Sequence, residues 1–264
     1  VHTEQLILAG GAVAAFLALL VLLPWLARRK LRRVARRVLA IRMERWATPH
    51  ERAPVSLDAF PTLDRAFYDE ATRALAAEGF TTLGDFENLS ITRQNAALRT
   101  CIRTFEDATG SVAALVYHVN VEGTRVARRF PAHQKTFELH SELSDGHWVL
   151  TSNAPETSHF TAPAVFDQLR LERATPLARL LASHRERLAK YLAAHPGAKP
   201  LPAATLEGIF ARGERQRLLR HEHHEKIGGI TRDELRGILG PAREYLADAV
   251  FVEIEKEVRE RASR

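Results

Sequence analysis

Residues 112–121, VAALVYHVNV, and 136–143, TFELHSEL, decide the fold. In the first, Ala113, Leu115, Tyr117, Val119 and Val121 share one face. In the second, Phe137, Leu139 and Ser141 alternate with Glu138, His140 and Glu142. A period of two belongs to a strand whose two faces meet different surroundings. Similar β-rich stretches occupy 80–91, 100–106 and 148–152, with turn sequences such as DATG at 107–110 and SDG at 144–146 between them. Five such strands with short links predict an antiparallel sheet.

Helices flank this region. Over 61–78, Leu63, Phe67, Ala71, Ala74 and Leu75 form one stripe between Pro61 and Gly79, and this helix is expected to cover the apolar face of the sheet. The chain is irregular from Asn153 to about Thr175. Thr175 and Pro176 then read as cap and first turn of a helix, with Leu177, Leu180, Leu181, His184, Leu188, Tyr191 and Leu192 on one stripe. Further helices are expected over 203–226, from Thr231 (with Glu234 at capping-box spacing) and from beyond Gly240 to the end. Strands and helices are segregated along the chain, which is the order of an α+β fold.

Toward the N-terminus the pattern changes. Residues 6–27, LILAGGAVAAFLALLVLLPWLA, hold no charge over 22 positions. At 1.5 Å per residue a helix of that length is about 33 Å long, enough to cross a bilayer core. The reading is a single transmembrane helix, with Trp25 at the interface. Directly after it, RRKLRRVARRVLAIRMER at 28–45 has nine basic residues and one acid, Glu44. Basic flanks stay in the cytosol, so the N-terminus is expected outside and the main domain on the cytoplasmic side of the inner membrane. The organisation expected is therefore a transmembrane anchor at 1–27, a basic juxtamembrane amphipathic helix at 28–46, a linker at 47–60, an α+β domain at 61–160 and a helical region at 161–264.

The basic block also explains the overall charge. The chain has 38 Lys and Arg against 32 Asp and Glu, a formal charge of +6. With the block set aside, 29 basic residues face 31 acidic ones, so the body is near neutral. That argues against nucleic acid, which wants a basic face on the folded domain. Leu31, Val34, Ala35, Val38 and Ile41 recur at helical steps between the cations. Arg28, Arg29, Lys30, Arg32, Arg33, Arg36 and Arg37 are accordingly expected to contact anionic lipid.

Candidate chemistry is sparse. His221-Glu222-His223-His224-Glu225 offers metal-ligand types without metal-ligand spacing, and reads as a polar face near a helix end. Glu138, His140 and Glu142, with His118 from the preceding strand, form a potential acid/base or metal cluster if something covers that face. His184, on an apolar stripe, reads as a hydrogen-bonded core histidine. The single Cys101 reads as a small buried hydrophobe, and Ser152-Asn153 as a strand-ending turn. No phosphate-loop, dinucleotide, zinc-protease or serine-hydrolase signature is present. The expectation is a non-enzymatic module at the membrane, without cofactor, that binds a protein partner or itself. A lipid or small-molecule binder and a metal-dependent enzyme stand as alternatives.

Overall fold

The structure is a computed structural model and describes residues 22, 25–40, 47–122, 132–154, 161–240 and 243–262. Its described elements are a seven-stranded sheet and seven α-helices. They divide into a sheet unit, 48–157 with 162–220, and a helical unit, 1–47 with 158–161 and 221–264.

In the sheet unit the strands are β1 (Arg52–Pro54), β2 (Phe80–Asn88), β3 (Ile102–Asp107), β4 (Ala113–Asn120), β5 (His133–Glu142), β6 (Trp148–Ser152) and β7 (Phe166–Arg170). They lie side by side in chain order. Each pair is antiparallel except β6 and β7, which run parallel. A parallel return needs a connection of a dozen or more residues, and thirteen separate Ser152 from Phe166.

The sheet thus has seven strands and is mixed, where five antiparallel strands were expected. The two additional strands are short. β1 has three residues and ends in Pro54, which cannot donate to a ladder and so suits an edge. β7, FDQLR, has no clean alternation and lies in the stretch read as irregular. The predicted turn at 107–110 forms: Gly110 takes φ +67°, and Asp107 Oδ1 accepts from Ser111 N and Val112 N at 2.8 and 3.1 Å.

Helices cover both faces. On one lie α2 (Arg65–Ala77) and α4 (Leu177–Ala194), which bury Tyr68, Leu75, Leu180 and Leu181 against Phe105, Val116, Leu139 and Val149. Asp64 caps α2, its side chain accepting from Phe67 N, so this helix starts four residues beyond Pro61. The N-cap of α4 is Pro176 and makes no side-chain hydrogen bond, so Thr175 is not the cap. On the opposite face, α5 (Leu206–Lys226) sets Ile209 and Phe210 on Phe86 and Ala113, and Leu219 on Trp148, Leu150 and Phe166. The short α3 (Leu89–Gln94) follows β2. Ala113, Leu115 and Tyr117 do share a face, but it is the one beneath α5. The face beneath α2 carries Ala114 and Val116.

The helical unit comprises α1 (25–40), α6 (Arg232–Leu239), α7 (Glu244–Ala262) and the end of α5. Its core is Ala35, Leu39, Ile230, Leu235, Ala247, Val250 and Ile254. The capping box at Thr231 and Glu234 forms as its spacing predicts.

The expected membrane anchor finds no support. Among the described residues no helix is long and apolar enough to cross a membrane. Of residues 6–27, 6–21 and 23–24 lie outside the described residues, as do 41–46. The described α1 carries seven cations in sixteen residues, each costly at a bilayer centre. Its apolar stripe is covered by protein: Ala35 and Leu39 are 1% and 2% exposed. The single-pass topology and the inner-membrane placement, both inferred from the span, are corrected accordingly.

Candidate functional site

Two surfaces concentrate the chemistry, one in each unit. In the helical unit, α1 presents its cations outward. Arg32 Nε meets Glu253 at 2.9 Å and Arg36 Nε meets Glu257 at 2.8 Å, both on α7. Lys256 and Arg32 together hold the Glu253 carboxyl below its ordinary range. Arg28, Arg29, Lys30, Arg33 and Arg37 are exposed and meet no described carboxylate. Of the seven cations expected at lipid, two are therefore joined to α7 and five meet no carboxylate among the described residues.

Between α1 and α7 runs a groove of about 690 Å³. Trp25, Leu31 and Val252 line it with apolar surface, while Arg28 and Arg29 stand beside them. Trp25 is 53% and Val252 41% exposed, unusual for side chains of that size. The Arg29 guanidinium lies 5.4 Å from the centre of the Trp25 ring, a cation–π distance.

In the sheet unit the surface beneath α5 is polar. Glu138 and His140 face the helix, with Tyr117 and Glu106 on the same side of neighbouring strands. Tyr117 Oη donates to Glu138 Oε1 at 2.6 Å, and His140 Nε2 is 3.4 Å from Oε2. Burial pushes the Glu138 carboxyl up, but the hydrogen bonds from His140 and Tyr117 outweigh it and hold the group below its ordinary value. Burial keeps the Tyr117 hydroxyl protonated.

The expected quartet divides. Glu142 turns to arginines of α5: Arg215 Nε and Nη2 reach its two oxygens at 2.5 and 2.6 Å, and Arg212 Nε lies at 3.5 Å. His118 is on the opposite face. Its Nδ1 accepts from Asp64 N at 3.0 Å, so Nε2 carries the proton and donates to His133 Nδ1 at 3.1 Å. The arginines and glutamine of α5, and Gln168 and Arg170 of β7, were not foreseen. A signal existed: Arg212, Gln216 and Arg220 recur every four residues, one polar stripe on a helix.

The other candidates are structural. His221 Nε2 lies 3.5 Å from Glu225, His223 Nε2 lies 2.9 Å from Thr161 Oγ1, and His224 is buried, so the three rings do not converge. Among the described residues no group of three metal-ligating side chains could hold an ion. Cys101 precedes β3, and burial pushes its thiol up to about 12, where it is no nucleophile at neutral pH. Ser152 Oγ accepts from Ala154 N and Asn153 Oδ1 from Phe137 N, both at 2.8 Å, which fixes a turn.

His184 is a hydrogen-bonded core histidine, as read. The one proton of Ser141 goes to Ser111 O at 2.6 Å. Ser141 must then accept from His184 Nε2, at 3.0 Å, which leaves Nδ1 to accept from Thr151 Oγ1 at 2.9 Å. The histidine is thus a donor to Ser141 and cannot serve as its base. Burial, reinforced by His140, Arg187 and Arg185, pushes the His184 pKa down to about 3.

A pH dependence follows. Above about pH 6.5 His184 is neutral in both folded and unfolded chains. Between there and about 3 the unfolded chain takes up a proton that the folded one refuses. Stability falls with pH across this window, by at most about 1.4 kcal/mol per pH unit from this one group. Urea unfolding at pH 7 and pH 5 should show the loss, and His184→Gln should flatten it. An unchanged slope in the variant would assign the effect to His118 and His147, which burial also lowers.

Together these features define an α+β protein with a helical unit that displays a basic, partly apolar groove. No protein-family model, curated protein or solved structure matches the chain.

Proposed function

We propose that this chain is a non-enzymatic interaction module whose helical unit docks an acidic segment of a partner protein. The observation that carries the reading is the groove between α1 and α7, where exposed Trp25 and Val252 lie beside arginines that no described carboxylate neutralises. Large aromatic and arginine side chains are the groups most often responsible for affinity at protein interfaces. An amphipathic helix with acidic residues along its apolar stripe satisfies both parts of the surface. The placement of His184 and Cys101 supports the non-enzymatic half, since neither is poised for nucleophilic or base chemistry.

Photo-crosslinking in cells tests the reading, with the full chain carrying the crosslinker at Val252 or, as control, at Asp233, whose side chain is 91% exposed on α6. The expected result is a protein adduct at Val252 alone, mapping to an acidic stretch of the partner. Replacing Arg28 and Arg29 by Glu sets like charges together and should lower its yield more than about tenfold. No adduct, an adduct with lipid only, or one indifferent to the charge reversal would overturn the proposal.

A further inference from the structure

The outward side of α1 carries a second surface, separate from the groove. At about 100° per residue, Leu26, Lys30, Arg33 and Arg37 fall on one stripe of the helix. Ala35, buried in the core of the helical unit, lies on the opposite side. All four stripe residues are exposed, Leu26 at 48%, and Val34 at the edge of the stripe is 41% exposed. None of these five side chains lines the groove between α1 and α7. Arg32 and Arg36 are taken up by Glu253 and Glu257, but Lys30, Arg33 and Arg37 meet no carboxylate among the described residues. A single exposed, unpaired cation is ordinary. Three on one stripe, with exposed leucine and valine among them, make a surface of two chemistries.

We infer that this stripe docks the helical unit on an anionic lipid surface, with α1 lying along the headgroups and not crossing them. Lys30, Arg33 and Arg37 meet lipid phosphates, while Leu26 and Val34 enter the boundary between headgroups and acyl chains. The stripe is wholly cationic in its charge, which selects an anionic surface. Its apolar members select lipid over nucleic acid, whose phosphates satisfy the cations but give Leu26 and Val34 no cover. Near anionic lipid each cation contributes about fivefold to partitioning, so three contribute about a hundredfold. The side of α1 that packs on α7 is left undisturbed by this contact, and the inference does not rest on a partner in the groove.

The test is flotation of the full chain with vesicles of phosphatidylcholine, alone or mixed with phosphatidylglycerol. The parent should prefer the mixed vesicles by about a hundredfold at low salt and lose most of that preference at high salt. Lys30→Glu, Arg33→Glu and Arg37→Glu together should abolish the preference. A control with the same change of charge, Arg73→Glu, Arg179→Glu and Lys190→Glu on exposed positions of α2 and α4, should keep most of it. Leu26→Ser leaves the charge intact and should weaken binding to the mixed vesicles roughly tenfold, the scale of one buried apolar side chain. Overturning results are equal binding to the two kinds of vesicle, the same loss in both charge variants, full binding by Leu26→Ser, or tighter binding of duplex DNA than of the mixed vesicles.

Discussion

Glu106→Ala should lower the unfolding free energy by about 3–5 kcal/mol, the scale for breaking a buried ion pair from one side. Glu106, 5% exposed, sits at the end of β3 and holds the chain that leads into α5. Its two oxygens accept from Ala203 N at 2.5 Å and Ala204 N at 2.7 Å. Ala204 has φ +62°, in the left-handed region that a non-glycine residue occupies only when its surroundings hold it there. Arg212, 2% exposed, lies with Nη2 3.6 Å from Glu106 and Nε 3.5 Å from Glu142. Burial pushes the pKa of Arg212 down, and the two carboxylates oppose that shift.

Removing Glu106 therefore takes away one of two charges that keep a buried cation tolerable, and it frees two backbone donors. Glu106→Gln retains an acceptor and should lose less. Urea unfolding of the full chain gives the numbers, and hydrogen exchange at Ala203 and Ala204 gives a local reading. A loss below about 1 kcal/mol for the alanine variant would show that Glu142 alone suffices for Arg212.

Leu139→Ala should cost about 2–5 kcal/mol, by lost transfer free energy and by the cavity left behind. Leu139 is fully buried near the middle of β5, with Ala114 opposite on β4 and Thr151 on β6. Its neighbours sit in a sheet covered by α2 and α4, which limits how far they can collapse into the gap. Leu139→Met conserves volume and should cost less than about 1.5 kcal/mol. Equal losses for the two variants would mean that the site relaxes freely and that packing under α2 and α4 is not tight.

Two kinds of information were legible in the residues alone. Local periodicity placed β2 to β6, α2, α4 and α5 within a few residues, and capping chemistry at Thr231 and Glu234 gave the start of α6. These are near-neighbour effects, set by rotamer, turn and cap preferences within a few residues of chain. β1 and β7 escaped because short edge strands are made by their neighbours and carry too few residues to show a period.

The apolar run at 6–27 and the cations at 28–45 showed where charge and hydrophobicity lie along the chain. They did not show what the α1 stripe would bury itself against, since lipid and protein satisfy the same pattern. The partners chosen, Glu253 and Glu257, stand 221 residues away.

The candidate sites divide along the same line. Alternation placed Glu138, His140 and Glu142 on one face, but only the passage of α5 over that face assigns Glu142 to Arg212 and Arg215 and brings Gln216 to Gln168. Strand period is a property of backbone geometry within one segment, and the residues express it directly. Which surface covers a face is chosen by the summed packing and desolvation of segments far apart in the chain, and that sum exists only in the folded molecule.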